Sequence, residues 1–219
     1  MAMESATAEE YLEVIYKLSR EEAVRPSKIA SALGVAAPTV TSQLKRLEAK
    51  GLLTRPHGRV KLTGEGEARA LSVVRSHRLS ERFLTDVLGI PVDEAHDEAC
   101  KWEHALSPRV QQALEEFLQM PDVCPHGHPI PAADGTVGTV HGHQLTDSLP
   151  GDAVRVVQVA EDDDALLSYL TSLGLLPGTV LRVVDVAPFH GPLLVEVGGS
   201  QYALGREVAA QIVVVGVSV

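Results

Sequence analysis

In the first fifty positions, apolar residues recur every three or four residues, which is the spacing of amphipathic helices. This spacing predicts helices over residues 7–20, 26–33 and 36–50, with a tight turn at Gly34 between the last two. Residues 52–63 contain two short apolar runs around a Pro-His-Gly turn, which predicts a small β-hairpin. Helix, turn, helix and hairpin in this order predict a winged helix-turn-helix over residues 1–63.

The pattern changes twice beyond this module. Residues 64–120 keep a helical period and predict an all-α domain of three helices, over residues 64–88, 93–106 and 108–119. Residues 121–150 are rich in Pro, Gly and His, and we interpret them as a linker. In residues 151–219, strand-like runs around one short helix predict an antiparallel barrel of about five strands. The predicted fold class is therefore α+β and multidomain.

Charge is distributed unevenly between these segments. Residues 1–63 carry 10 Lys and Arg against 7 Asp and Glu, whereas residues 64–219 carry 9 against 22. The whole chain has a net charge of -10. A basic module on an acidic body is typical of a protein that reads DNA. The first residues show no apolar leader and no later window is long enough to span a bilayer, so we expect a cytoplasmic protein without a membrane partner.

Candidate DNA contacts lie at the start of the third predicted helix and on the cations around it. Side chains at the start of such a helix face base edges, and Lys and Arg neutralise phosphates. For any one cation alone, a solvated surface position is the simpler interpretation. The candidates are Lys28, Ala36, Pro38, Thr39, Ser42, Gln43, Arg46, Arg55, Arg59 and Lys61.

Potential metal ligands cluster on two of the predicted central helices. His96, Cys100, Glu103 and His104 stand at i, i+4, i+7 and i+8, on one face of a helix. His77 and Glu81 are four residues apart on the preceding helix. Buried polar groups without partners cost about 1 to 3 kcal/mol each, so a metal explains such a face better than burial alone. One thiolate among harder ligands favours Mn²⁺ or Fe²⁺ over a structural zinc site.

Five segments carry a resemblance to a known family. They are TAEEYLEVIYKL at 7–18, PTVTSQLKRLEAKGLL at 38–53, HRLSERFL at 77–84, HDEACKWEH at 96–104 and GHPIP at 127–131. The chain resembles the diphtheria toxin repressor family of iron- and manganese-dependent transcriptional regulators. The resemblance implies a winged helix-turn-helix, a helical dimerisation domain with two metal sites, and a C-terminal SH3-like barrel. It also implies a homodimer that binds a pseudo-palindromic double-stranded operator and represses metal-uptake genes.

The resemblance further implies which residues bind metal. The primary site would contain Glu10, Cys100, Glu103 and His104. The ancillary site would contain His77, Glu81, His96 and an acid from residues 161–164, for which we choose Asp163. Arg78 would hold an anion, although Cys124 and His128 replace the Ser and Asn of iron-type relatives. Two ions, Mn²⁺ or Fe²⁺, are expected per subunit, with Co²⁺, Ni²⁺, Zn²⁺ or Cd²⁺ as substitutes in vitro.

Several alternatives stay open at this stage. Glu10 is also the capping-box partner of Thr7 at the start of the first helix. A binuclear metallohydrolase would use the same ligands, and a metal-transport accessory protein would explain the barrel, but we expect no enzyme because no substrate-binding motif accompanies the ligands. A third metal site is conceivable in the predicted linker, where solvated histidines are the simpler interpretation. Its residues would be Cys124, His126, His128, His141 and His143.

Overall fold

The computed structural model describes residues 6–19, 24–161 and 163–217. The chain forms two compact units. Unit one contains the described residues up to His77, together with Lys101–Gln111 and Pro131–Thr136. Unit two contains Arg78–Cys100, Gln112–Ile130 and the described residues from Val137 onward. No helix within these residues is long and apolar enough to cross a membrane.

Unit one begins with three helices and a hairpin. Their bounds are α1 (Ala6–Ser19), α2 (Pro26–Ala32), α3 (Ala37–Ala49), β1 (Leu53–Thr54) and β2 (Lys61–Leu62). The apolar stripes found in the sequence form one core, in which Leu12, Ile29 and Leu44 are almost completely buried. Gly34 has φ +62° in the α2–α3 turn, a conformation that favours glycine. The predicted helix-turn-helix with its hairpin is confirmed.

The hairpin is short and fixed at both ends. Leu53 pairs with Leu62 in antiparallel register, and the backbone N–H of Val60 donates to the carbonyl of Val24 over 2.8 Å. A Cβ atom placed on Gly66 would lie 1.9 Å from the carbonyl oxygen of Leu52. Glycine at this position therefore lets the next helix begin directly against the base of the hairpin.

Three helices follow the hairpin, as predicted. They are α4 (Gly64–Asp86), α5 (Val92–Trp102) and α6 (Pro108–Phe117). The prediction that the second of them continues to residue 106 is wrong, because Glu103 and His104 lie in the turn after α5. Pro108 disfavours a helical conformation at the residue before it and starts α6. The two side chains are therefore positioned by a turn and not by helical spacing.

Unit two contains a six-stranded antiparallel sheet. Its strands are β3 (His143–Gln144), β4 (Ala153–Val159), β5 (Val180–Val186), β6 (Leu193–Val197), β7 (Ser200–Leu204) and β8 (Ile212–Gly216). Their order in the sheet is β3-β8-β4-β5-β6-β7, and α7 (Asp164–Ser172) and α8 (Arg206–Ala209) complete the fold. Inward-facing Val156, Val183 and Val195 meet Leu167 and Leu170 of α7 in one core. β3 lies inside the segment that the sequence presented as a linker.

Candidate metal centres and nucleic-acid interface

Four side chains of unit two bring possible metal-ligand atoms together in its interior. Glu81 lies on α4, Cys124 and His126 lie in the loop after α6, and Glu161 follows β4. One donor atom from each lies within 4.8 Å of the donor atoms of the other three. All four residues are buried, and Glu161, the most exposed, is 5% accessible. We call this group the buried donor cluster.

Contacts within the buried donor cluster fit a cation. His126 Nδ1 lies 3.2 Å from Glu81 Oε1 and 3.9 Å from Cys124 Sγ, and Sγ lies 4.0 Å from Glu161 Oε2. His126 Nε2 is buried and has no hydrogen-bond partner among the described residues. Burial, reinforced by the Glu81 and Glu161 carboxylates, raises the pKa of the Cys124 thiol well above its usual value. Arg78 pairs with the Glu161 carboxylate, and a bound cation would compensate the negative charge that the other acidic groups carry when ionised.

The loop that carries Cys124 and His126 is fastened to β4 by backbone and side-chain contacts. Val159 N–H donates to the carbonyl of His126 over 3.0 Å, and His128 Nε2 donates to the carbonyl of Val159 over 2.8 Å. Burial lowers the pKa of His128, and Gln158 Nε2 lies 3.2 Å from its Nδ1 atom. These contacts match a neutral imidazole protonated on Nε2. The histidine thereby holds the loop at the edge of the cluster.

Gly127 allows the close approach of this loop to the sheet. Its φ is +86°, and a Cβ atom there would lie 1.9 Å from the carbonyl oxygen of Val157. We expect Gly127→Ala to destabilise the protein by about 1 to 3 kcal/mol, since both strain and overlap oppose the native loop. Urea denaturation measures the change, with Gly198→Ala on an open turn as a strained control without overlap. Equal losses in the two variants would contradict the packing argument.

A second group of ionisable side chains forms a chain of contacts within unit one. His77 Nδ1 donates to Glu103 Oε2 over 2.6 Å, and Glu103 Oε1 lies 3.2 Å from His104 Nε2. His104 Nδ1 in turn donates to Glu9 Oε2 of α1 over 2.8 Å. A neutral His104 that donates from Nδ1 to Glu9 would direct the lone pair of Nε2 towards Glu103. An imidazole nitrogen and a carboxylate oxygen so arranged fit a divalent cation.

The surface of unit one presents the candidate DNA contacts. Val40, Leu44 and Leu47 face inward from α3, which leaves the opposite face of that helix to solvent. Ala36, Pro38, Thr39, Ser42 and Arg46 are exposed and Gln43 is partly exposed, while Lys28, Arg59 and Lys61 are exposed around them. Arg55 is different because its Nε donates to Glu48 Oε2 over 2.9 Å. Arg55 is therefore already paired within the module.

Comparison with known proteins identifies the family. Residues 3–59 match the iron-dependent repressor N-terminal DNA-binding domain, residues 63–132 match the iron-dependent repressor metal-binding and dimerisation domain, and residues 143–215 match the FeoA domain. The protein belongs to the iron-dependent repressor family. The fold of this family member therefore combines a DNA-binding domain, a helical dimerisation domain and an SH3-like sheet domain, as the sequence predicted.

Relatives and solved structures resemble this family member over most of its length. The iron-dependent repressor IdeR of Mycobacterium tuberculosis is 37% identical, over 93% of this chain and 94% of the relative. The diphtheria toxin repressor of Corynebacterium diphtheriae is 39% identical, over 82% and 84%. A manganese-dependent transcriptional repressor in complex with manganese aligns with a TM-score of 0.86 and 37% identity, over 96% of this chain and all of that one. ScaR with bound Cd²⁺ aligns with a TM-score of 0.83 and 31% identity, over 96% and 99%.

Two acids chosen from the sequence lie elsewhere in this family member. Glu10 is exposed, and its neighbour Glu9 contacts His104, because consecutive helical residues point about 100° apart. Asp163 is also exposed and caps α7, its Oδ1 accepting from Leu166 N–H over 3.0 Å. Glu161 supplies the buried acid, while Asp162 lies outside the described residues. Acidic residues suit both a helix N-cap and a metal site, so the composition of residues 161–164 alone did not show which acid has which role.

The remaining predicted ligands have specific neighbours. His96 Nδ1 lies 3.2 Å from Glu81 Oε1, and its Nε2 lies 3.8 Å from Sγ of the exposed Cys100. His77 contacts Glu103, as described above. Arg78, for which the sequence predicts an anion-binding role, donates to the carboxylate of Glu161. The structure thus places His96 beside Glu81, which also belongs to the buried donor cluster.

The interpretation of the linker histidines as solvated is wrong for two of them. His126 is completely buried and His128 is mostly buried, because the backbone around Gly127 packs on β4. His141 is exposed, and Nε2 of His143 on β3 lies 3.1 Å from Ser148 Oγ. The Cys-x-His spacing at 124 and 126 was the available signal for the buried pair. It was too weak to identify them without the partners from α4 and β4.

Proposed function

We propose that this protein represses transcription of metal-uptake genes by binding DNA as a homodimer when Mn²⁺ or Fe²⁺ is available. The buried donor cluster, in a chain that also carries an exposed helix-turn-helix, is the observation that supports this most strongly. Family membership supports the same conclusion, as does the similarity to a repressor in complex with manganese. Repression by the metal-bound protein would lower metal uptake when the cellular concentration of the ion is already sufficient.

The proposed primary site lies in unit one. Glu103 and His104 would hold the ion there, with Glu10 as the ligand from α1 that the family resemblance implies. Glu9 would orient His104 by accepting a hydrogen bond from its Nδ1–H group, and His77 contacts the other oxygen of Glu103. Cys100 stays a sequence-based prediction for this site. The buried donor cluster would be the second site, which gives two ions per subunit.

Activation is proposed to act through the start of α1. When bound, the cation supplies positive charge and directed coordination that join the side chains holding it. Glu9 and Glu10 precede the apolar stripe by which α1 packs in the helix-turn-helix core, while Glu103 and His104 lie outside that module. Fixing these carboxylates to His104 therefore restrains the DNA-reading helix. Couplings of this kind are about 1 to 3 kcal/mol, or 5- to 150-fold in affinity.

A second copy of the chain is the proposed partner in the dimer. Unit two exposes large apolar side chains at the ends of α4 and α6, including Leu88, Phe117 and Met120, and the last two are 62% accessible. The rings of Phe83 and Phe117 are in edge contact at 6.1 Å, which continues this surface. A two-fold dimer presents two α3 helices, so its operator would be pseudo-palindromic. Sedimentation analysis of Phe117→Glu tests the surface by the loss of dimer.

The experiment that tests the function is DNA binding at controlled metal concentration. Fluorescence anisotropy of DNA from upstream of the gene for this protein would be followed with Mn²⁺, Fe²⁺ or Co²⁺ and with chelator. We expect tight, sequence-specific binding with each ion and its loss with chelator. The metallohydrolase and the metal-transport accessory interpretations both predict no specific binding under any of these conditions. Ionic strength must be fixed, because salt alone changes such affinities by orders of magnitude.

Two surface variants should separate affinity from sequence readout. Arg59→Ala removes a phosphate-facing charge, so affinity should fall on all DNA and the salt slope should decrease by about 1. Gln43→Ala removes a side chain able to pair with adenine and should cost about 1 to 3 kcal/mol on operator DNA only. The measurement is anisotropy on operator and random DNA over a range of salt. A Gln43 variant weakened equally on both would contradict its assignment to base readout.

Glutamine variants distinguish the roles of Glu9 and Glu10. The amide introduced by Glu9→Gln keeps an oxygen that accepts from His104 Nδ1, so this variant should retain most activation, whereas Glu9→Ala should weaken metal response about 10- to 100-fold. Glu10→Gln replaces a charged ligand with a neutral amide and should weaken the response as strongly as Glu10→Ala. The readout is the Mn²⁺ concentration for half-maximal DNA binding. If Glu9→Gln were as impaired as Glu9→Ala while Glu10→Gln was normal, Glu9 would be the ligand.

A further inference from the structure

Arg78 is a buried arginine that joins three segments of unit two. It lies on α4 with 2% of its surface accessible. Its Nη1 donates to the carbonyl of Pro129 over 2.6 Å, and its Nη2 donates to Glu161 Oε1 over 2.7 Å. Pro129 lies in the same loop as Cys124 and His126, where it forms a β-bridge with Val123, and Glu161 follows β4. One guanidinium therefore contacts both segments that supply the buried donor cluster from outside α4.

The two oxygens of Glu161 have different neighbours. Oε1 receives the hydrogen bond from Arg78 and lies 3.8 Å from His128 Nδ1, while Oε2 lies 4.0 Å from Cys124 Sγ. Arg78 thus holds the carboxylate by one oxygen in an orientation that presents the other to the thiol. A guanidinium fixes direction as well as charge, which an ammonium group does less well.

Charge balance points the same way. With Cys124 as thiolate, the buried donor cluster contains three negative groups, Glu81, Cys124 and Glu161, and Arg78 contributes one positive charge beside them. One divalent cation would neutralise the remainder. Unbalanced charge in a buried site is costly, so this composition suits a divalent ion without an added anion.

We propose that Arg78 is a positioning residue for metal binding at the buried donor cluster, with the Glu161 carboxylate as its built-in anionic partner in place of a free anion. This inference deepens the proposed function, because it assigns how one of its two metal sites is organised. The alternative is an ion pair that stabilises the fold and does not affect the metal. The two roles differ in metal affinity and in the response to added anion.

The test measures metal binding without DNA. A full-length Cys100→Ser protein retains Cys124 as its only cysteine, so the ultraviolet charge-transfer absorption of Co²⁺-thiolate reports the buried donor cluster alone. Arg78→Gln and Arg78→Lys would be compared in that background. The control is Arg75→Lys, since Arg75 is a similarly buried arginine of α4 that donates to the carbonyl of Pro131 over 2.6 Å.

The expected result is a decrease in Co²⁺ affinity of about 10- to 100-fold in both Arg78 variants, with the control unchanged. The direction of the change in Co²⁺ affinity is decisive for Arg78→Gln, because loss of a nearby positive charge would by itself tighten metal binding. Arg78→Lys retains the charge and provides the measurement if the Gln variant does not fold. A folded Arg78 variant that binds Co²⁺ with parental or higher affinity overturns the proposal.

Anion dependence provides the second arm. Replacing perchlorate by sulfate at constant ionic strength should not change Co²⁺ affinity of the Cys100→Ser protein, because Glu161 already occupies Arg78. Tighter Co²⁺ binding in sulfate would show that the Arg78 guanidinium binds a free anion, and would overturn the proposal that Glu161 is its anionic partner. Because neither arm involves DNA, failure of this proposal is distinguishable from failure of the proposed repressor function.

Discussion

Replacing His104 with alanine is expected to abolish the metal-dependent gain in DNA affinity. In the parent protein this gain should be about 5- to 150-fold, and in the variant the metal should not change the affinity. The imidazole contacts Glu103 through Nε2 and α1 through Nδ1, so its loss removes both a ligand and the link to the DNA-reading module. Its side chain is 21% accessible, and the core of α1 does not depend on it. Basal, metal-independent DNA binding and helicity should therefore be preserved. Anisotropy titrations with and without Mn²⁺ provide the measurement.

The matched control is His141→Ala, because His141 is an exposed histidine of unit two and is not among the residues that contact His104 in the described part of the chain. It should respond to Mn²⁺ as the parent does. Circular dichroism establishes that both variants are folded. If the His104 variant kept the full response to Mn²⁺ while folded, the primary site would have to be sought among other side chains.

The Cys124→Ala variant is expected to lose metal binding at the buried donor cluster. Its thiol lies within 4.0 Å of atoms of both His126 and Glu161, and 1% of the residue is accessible. Ligand bound only to the native state at 100 times its dissociation constant stabilises a protein by about 2.7 kcal/mol. In the variant, Mn²⁺ should no longer stabilise the protein through the buried donor cluster. Thermal unfolding with and without Mn²⁺ measures this loss of stabilisation.

Cys100→Ser provides the background for a second, spectroscopic measurement of this cluster. Cys100 is exposed, and its substitution leaves the contacts of the buried donor cluster in place. The Co²⁺-thiolate absorption of that cluster should survive in Cys100→Ser and be absent from the Cys100→Ser/Cys124→Ala protein. If Cys124→Ala showed the same Mn²⁺-dependent stabilisation as the parent, the cluster would be a polar core and not a metal site.

Much of the architecture was readable in the sequence because its signals are local. Helical spacing of apolar residues identified α1 to α4, and the Pro-His-Gly turn identified the hairpin that follows α3. Alternating residues from 154 onward identified strands whose inward side chains do form one core. Each of these patterns repeats within a few residues, so it can be recognised without knowledge of the tertiary contacts. The motif at 96–104 likewise indicated metal chemistry and the family.

The membership of the buried donor cluster was decided by the tertiary structure alone. Residues 81, 124, 126 and 161 come from a helix, a loop and the end of a strand, and no sequence period connects such distant positions. The same holds for the contact between Glu9 and His104, because the rotation of α1 relative to the turn near residue 104 determines which of two adjacent acids faces the imidazole. It holds again for Asp163, which caps a helix while Glu161 is buried against Arg78. Sequence determined which chemistry was available, and packing determined which side chains came within reach of one another, because distances across a fold are set by its core and not by spacing along the chain.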